Sequence, residues 1–170
     1  AVIHGTLVLL HVVNVPGYLA QQRYLPIYDL DLNRSFPGKV DGNTAERVAY
    51  EVFHRFVAPC DLGIDFHTST RNRTTLYHVR ADLANEAVEG LARAFGANVI
   101  LQGDGDVGSL RSVATASSVP TITVEMGKAH RFQPTLVDLA MDGVENVLGA
   151  YDVLPDVEPS APKWLRVLGG

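Results

Sequence analysis

Cysteine is almost absent from this sequence: Cys60 is the single one among 170 residues. One thiol cannot form an intrachain disulfide, so the fold depends on buried apolar side chains, and a reducing, cytoplasmic location is predicted. Cys60 itself is more typical of a small core residue than of a nucleophile.

Long apolar runs are also missing. The run "TLVLLHVV" at 6–13 is far shorter than the ~18 apolar residues that a membrane helix needs. It has no cationic lead-in and no small-residue cleavage pattern, so it does not resemble a signal peptide. We therefore predict no membrane partner.

Positive charge is in deficit. The chain has 14 Lys and Arg against 19 Asp and Glu, which gives a net charge of −5. This balance argues against nucleic acid as a partner. It leaves room for a small anionic substrate, because a pocket can be basic inside an acidic protein.

Two common catalytic signatures are absent as well. The sequence has no glycine-rich phosphate loop and no Gly-x-Ser-x-Gly turn, which argues against a P-loop enzyme and an α/β-hydrolase serine enzyme. The alternating Asp and Gly residues at 103–109 lack the later Glu of a calcium loop, so a tight turn is predicted there.

What is present indicates one α/β domain. Hydrophobic residues make up 46% of the chain, enough for a core. Apolar runs typical of buried strands alternate with segments of helical periodicity. This order predicts a mostly parallel or mixed sheet with helices on both faces. The predicted strands are 6–13, 62–67, 98–102 and 120–127, and the predicted helices are 43–57, 85–96, 108–117 and 134–151.

Two chemically capable side chains follow buried strands. His67 ends the strand "LGIDFH", two residues after Asp65, and Glu125 ends the strand "PTITVE". Ligands of open α/β sheets bind outside the carboxyl ends of strands. His67 is therefore either a metal ligand or a hydrogen-bonded histidine at a sheet edge. Glu125 is either a general base or a solvated strand-end carboxylate.

The segment "DLNRSFPG" at 31–38 contains a third candidate, Asn33-Arg34. The planar guanidinium group of Arg34 can bind a carboxylate through two hydrogen bonds, and Asn33 adds a directional amide. Asp31 could orient either of them. The alternative is an ordinary surface turn.

Taken in order, "DLNRSFPG", "DFHT" and "TVEMG" resemble the succinylglutamate desuccinylase/aspartoacylase family. The resemblance implies a zinc carboxypeptidase-like fold and a zinc-dependent amide hydrolase acting on an N-acyl amino acid or a similar small carboxylate. By the same resemblance, His67 would be a zinc ligand and Glu125 the proton-transferring base. Asn33 and Arg34 would hold a substrate carboxylate, with Arg23 and Arg111 as further substrate-binding residues.

One departure from the family pattern concerns the metal. The family takes two zinc ligands from an early His-x-x-Glu motif, but Leu7 stands three residues after His4. We therefore expect residues 1–153 to be the central part of a catalytic domain, and 154–170 a linker leading into a truncated C-terminal region. Zinc binding would be weak or absent in such a fragment, and an exposed sheet edge would favour a homo-oligomer.

Two alternatives remain open. A zinc carboxypeptidase acting on peptides would use the same metal and base. A non-catalytic fragment or relative would account for the missing His-x-x-Glu pair.

Overall fold

The computed structural model describes residues 3–70 and 73–158, and the backbone of 165–167. Most of the predicted tail at 154–170 lies outside these ranges, so the predicted domain limits stay a prediction. None of the helices in the described ranges is long and apolar enough to cross a membrane. The helices are α1 Val15–Leu19, α2 Thr44–Val52, α3 Glu86–Phe95, α4 Leu110–Ala116 and α5 Pro134–Ala150, and the strands are β1 Gly63–Ser69, β2 Thr75–Ala81, β3 Val99–Gln102, β4 Thr121–Lys128 and β5 Leu165–Val167.

The chain divides into two compact units. We call 1–7, 64–103 and 122–170 the sheet unit, and 8–63 with 104–121 the helical unit. The sheet unit contains α3, α5 and most of the strand residues. The helical unit contains α1, α2, α4 and the "DLNRSFPG" segment.

Among the described residues, the sheet has five strands in the order β1-β4-β2-β3-β5. Strand β2 runs parallel to β3 and antiparallel to β4, and β3 runs parallel to β5. The sheet is therefore mixed, which confirms the predicted α/β class. The antiparallel pair places His78 opposite Glu125 and Val79 opposite Val124.

The core of the sheet unit forms where α3 meets the sheet and α5. The side chain of Asn85 caps α3, and Gly96, with a φ of 82°, ends it in the left-handed conformation. The buried face of the helix includes Leu91 and Phe95. The predicted helix at 85–96 therefore forms, and Gly96 closes it.

The helical unit has its own apolar cluster. Asn43 and Glu46 form a reciprocal capping box at the start of α2, as the sequence predicts. A short π-helix, Phe53–Val57, continues from α2. The buried members of the cluster are Leu32, Phe36, Ala49, Phe53, Ala114 and Val119.

Two sequence-based assignments were wrong. The predicted buried strand at 6–13 is not a strand, and its apolar side chains are exposed, with Leu9 at 65%. An apolar run becomes a strand only when another strand supplies hydrogen-bond partners, and no strand in the described ranges pairs with it. Strand β2 was missed because the polar segment before it was interpreted as a continuing loop.

Candidate active site

His67 lies on β1 and is oriented by a carboxylate. Its Nε2 lies 2.8 Å from Asp65 Oδ2, and the two side chains are 29% and 16% exposed. Residues two apart on a strand share a face, so this contact follows from the sequence spacing. A carboxylate on one ring nitrogen sets the tautomer and the ring orientation, as it does for histidines that ligate metals.

Glu125 lies within β4, with its side chain 16% exposed. His78 stands directly opposite it on β2 and is itself buried. Arg80, the next residue on the same face of β2, has Nη1 3.9 Å from Glu125 Oε1. The carboxylate is therefore flanked by an imidazole and a guanidinium group in a partly dehydrated position.

The side chains of His67 and Glu125 lie on the same face of the sheet. Strands β1 and β4 are neighbours, and a Cβ atom built on Gly63 would lie 2.5 Å from Thr121 Oγ1. Positions 63 and 121 thus face the same side, and so do positions 67 and 125, because side chains alternate along a strand.

The opposite face of these strands carries larger apolar side chains. Phe66 and Met126, at the alternate positions, border a cleft of about 220 Å³ together with Leu136 of α5 and the edge residue His67. The polar side chains therefore collect on one face of β1, β4 and β2, and the core side chains on the other.

The described residues bring together too few metal-ligating side chains for a zinc site. Within residues 3–70 and 73–158, no three His, Cys, Asp or Glu side chains form a group that could hold a metal ion. Catalytic zinc sites take three protein ligands. His67 with Asp65 has the chemistry of one ligand and its orienting carboxylate, so the described residues do not fit a complete zinc site by themselves.

The segment 31–38 lies in the helical unit, where Asp31 organises its start. The Asp31 carboxylate accepts a hydrogen bond from the Asn33 N–H at 3.1 Å and pairs with Arg23 Nη2 at 2.7 Å. Asp31 therefore orients Arg23, and it also caps the short 3₁₀ turn Leu32–Arg34.

Arg34 is bound to a carboxylate of the chain itself. Its Nη1 donates to the Asn33 carbonyl at 2.6 Å, and its Nη2 donates to the Asp106 carboxylate. Asp106 lies in the Asp-Gly turn at 103–109, whose sequence gives no signal of this pairing. The guanidinium side chain remains 41% exposed.

The segments that carry Asn33 and Arg111 meet at the start of α4. The Asn33 side-chain oxygen accepts a hydrogen bond from the Leu110 N–H at 2.8 Å. Arg111, the next residue, is buried at 6% exposure. These predicted substrate-binding residues are therefore organised by the same two loops.

The structure thus groups the predicted residues in two sets. His67 and Glu125 share the polar face in the sheet unit, whereas Asn33, Arg34, Arg23 and Arg111 belong to the helical unit. Of the two residues beside Glu125, His78 was interpreted as structural, and Arg80 was missed because β2 was missed. The alternation in "TLYHVRA", with its β-branched and aromatic residues, is the signal that could have predicted them.

Comparison with known proteins gives a consistent result. Residues 1–151 match the succinylglutamate desuccinylase/aspartoacylase catalytic domain. An N-alpha-acetyl-L-2,4-diaminobutyric acid deacetylase from Halomonas elongata is 29% identical over 161 residues, which cover 89% of this chain and 46% of that protein.

Two solved structures resemble the fold. The product-bound ectoine utilization protein EutE (DoeB) from Ruegeria pomeroyi has a TM-score of 0.80 and 26% identity, with 94% of this chain and 50% of that chain covered. A succinylglutamate desuccinylase/aspartoacylase from Rhodobacter sphaeroides has a TM-score of 0.76 and 24% identity, with 88% and 45% covered. The chain spans about half the length of the proteins it matches.

Proposed function

The chain belongs to the succinylglutamate desuccinylase/aspartoacylase catalytic domain family, and we propose that it forms the core of a zinc-dependent amide hydrolase. The family consists of metal-dependent deacylases that act on amide bonds. The proposed substrate is an N-acyl amino acid or a similar small carboxylate. The observation that carries the proposal is the common sheet face of His67 and Glu125, because this is the pair that amide hydrolysis by such an enzyme requires.

We assign Glu125 the proton transfers. Its side chain is only 16% exposed, and Arg80 Nη1 lies 3.9 Å from its Oε1, so little water competes for the carboxylate. A carboxylate in this position can take a proton from the attacking water and return it to the leaving amine. That return matters because an amide nitrogen leaves readily only after protonation.

His67 is the ligand that we assign to the metal. The family is zinc-dependent, and Asp65 holds the imidazole in a single orientation. The described residues do not complete the ligand set, and among them we assign to metal binding His67 with its carboxylate partner.

Substrate recognition is assigned to the helical unit. We assign the substrate carboxylate chiefly to Arg34, and its present pairing with the Asp106 carboxylate is the type of bond that this role needs. Asn33, Arg23 and Arg111 support the same function. The Halomonas elongata relative is named for the deacetylation of an N-acetylated amino acid, a substrate class that carries a carboxylate.

Substitution of Glu125 by Gln tests the proposal in the whole protein. The amide keeps the size of the side chain but cannot take a proton. Since general-base catalysis contributes roughly 10²–10⁴-fold, we expect kcat to fall at least ~100-fold with zinc content unchanged. Deacylation of N-acyl amino acids measures kcat, and atomic absorption measures the metal.

Glu89→Gln is the matched control. Glu89 is a half-buried glutamate that pairs with Arg93 on α3, so its substitution should leave kcat unchanged. Full turnover by the Glu125→Gln variant would remove Glu125 as the base and the proposed reaction with it.

A further inference from the structure

We propose that Asp106 is an intramolecular competitor of the substrate: its carboxylate occupies Arg34 in the free protein, and a substrate carboxylate must displace it. This inference rests on the proposed function, in which Arg34 binds that carboxylate. The Arg34 Nη2 atom donates to Asp106 Oδ2, across 72 residues of sequence. Asp106 thus brings to Arg34 the same chemical group that Arg34 is assigned to bind. It therefore sets how tightly a substrate must bind before it is turned over.

The backbone keeps Asp106 close to Arg34. The Phe36 N–H donates to the Gly108 carbonyl at 3.0 Å, and the Ser109 N–H donates to the Asp106 carbonyl at 3.0 Å. Gly108 has a φ of 75°, and a Cβ atom there would overlap the Arg34 carbonyl oxygen. A side chain at 108 is therefore excluded by conformation and by space. The turn that carries Asp106 stays against the backbone of Arg34, so the carboxylate returns to the guanidinium group whenever no substrate is bound.

Asp106 is the partner that can leave, because little else holds its side chain. Among the described residues, Arg34 is the only bonding partner of its carboxylate, and the Asp106 side chain is 68% exposed. Rotation about its χ1 angle brings the carboxylate into water without a change in the backbone. Arg34 keeps a second bond, from Nη1 to the Asn33 carbonyl at 2.6 Å. The guanidinium group therefore stays in place when Asp106 leaves.

A second aspartate–arginine pair in the same unit shows the opposite arrangement. Asp31 Oδ2 accepts from both Nε and Nη2 of Arg23, at 3.1 and 2.7 Å, and Asp31 Oδ1 accepts from the Asn33 N–H at 3.1 Å. The Asp31 side chain is only 20% exposed. Three bonds and partial burial fix this carboxylate, so Asp31 is a structural partner of its arginine. Asp106, with one bond and high exposure, has neither restraint.

Electrostatics favours exchange of the two carboxylates over simultaneous binding. Two carboxylates on one guanidinium group would leave a negative charge uncompensated, and like charges placed together are unfavourable. A substrate carboxylate can also bind a guanidinium group through two parallel hydrogen bonds, whereas Asp106 uses one oxygen atom. Because exposed ion pairs contribute little to stability, the Asp106 pair weakens substrate binding by a modest factor and does not block it.

The first experiment measures anion binding by the chain itself, with acetate as the probe. Sodium acetate replaces sodium chloride at constant ionic strength, and NMR follows the Arg34 Nε–H signal, which is assigned by its loss in Arg34→Lys. We expect Asp106→Asn to reach half-saturation at an acetate concentration about threefold lower than the unsubstituted chain does. Asp104 is an exposed residue of the same turn, so Asp104→Asn removes the same charge and should match the unsubstituted chain. Half-saturation of Asp106→Asn at the same or a higher concentration than Asp104→Asn would overturn the proposal.

The second experiment measures turnover in the whole protein. We expect Asp106→Asn to lower KM about threefold for an N-acyl amino acid, and this gain should disappear at saturating substrate because a competitor affects binding only. Asp104→Asn should leave KM unchanged, and Asp31→Asn should raise it. A raised KM for Asp106→Asn would show that Asp106 orients Arg34 beside the bound substrate, and the competitor role would be wrong. Failure of the proposed function would instead appear as full activity of Glu125→Gln and would leave the acetate titration intact.

Discussion

At the scale of single residues, the protonation state of the Tyr77 phenol affects the stability of the fold. Its hydroxyl donates to the Leu139 carbonyl at 3.0 Å. Burial, with a smaller contribution from the charge of Asp142, raises the pKa of Tyr77 from 10.0 to about 12. The neutral phenol is therefore favoured in the folded state. Because the folded pKa lies above the unfolded one, this stabilisation is complete below pH 10 and is lost as the pH rises toward 12.

We expect the free energy of unfolding of the Tyr77→Phe variant to depend less on pH in the alkaline range. Near pH 8 the variant should be less stable by about 1 kcal/mol, the usual contribution of one hydrogen bond. Between about pH 9 and 11 its free energy of unfolding should fall less steeply than that of the unsubstituted chain, since the variant has no phenol to ionise at 77. Urea unfolding at several pH values measures both effects. Tyr28→Phe, at a 67% exposed position, should follow the unsubstituted profile, and equal slopes for the unsubstituted and Tyr77→Phe chains would contradict the prediction.

At the scale of elements, helix packing in the sheet unit depends on one glycine. Gly143 of α5 is buried, and a Cβ atom there would lie 2.6 Å from Phe95 Cε2 of α3. The Phe95 ring is 1% exposed and has no space to withdraw. The close contact between α3 and α5 is therefore possible only because residue 143 is a glycine and has no side chain.

Substitution by Ala should have opposite effects at Gly143 and at Gly90. Gly143→Ala should destabilise the chain by roughly 1–3 kcal/mol, the usual cost of overpacking a core. Gly90→Ala on α3 would place Cβ an ordinary 3.7 Å from Tyr151 Oη and should stabilise by up to ~1 kcal/mol through helix propensity. Chemical denaturation measures both changes, and stabilisation by Gly143→Ala would show that the two helices can separate at no cost.

The same elements explain which parts of the fold were predictable. Helix α3 was predictable because its signals are local: Asn85 caps its start, Gly96 ends it, and the apolar positions follow the helical period. The run at 6–13 has equally clear β-propensity but is exposed, because strand formation depends on a partner that no local pattern reveals. Strand β2 shows the opposite outcome, because its alternating pattern is a local signal of a strand and the partners β3 and β4 are present to pair with it.

At the scale of the whole molecule, the contacts of the candidate site also fall into two kinds: those that a local pattern predicts and those that depend on distant parts of the chain. The contact of His67 with Asp65 spans two residues and follows from strand alternation. The bond from Leu110 to Asn33 spans 77 residues, and the pairing of Arg34 with Asp106 spans 72. Such contacts depend on loop conformations for which a single sequence carries no signal. Residue types in a motif thus point to candidate side chains, but not to which of them are already bound to each other.

The last prediction concerns metal binding by the 170-residue chain. His67 supplies one imidazole, and sites of the catalytic kind need three protein ligands, so the chain should retain much less than one zinc per molecule after dialysis. Elemental analysis of the purified chain measures this directly. The His67→Ala variant is the control and should retain the same residual amount, because one ligand adds little affinity alone. One zinc per chain, lost on substitution of His67, would show that the chain completes a metal site with donors that the described residues do not bring together.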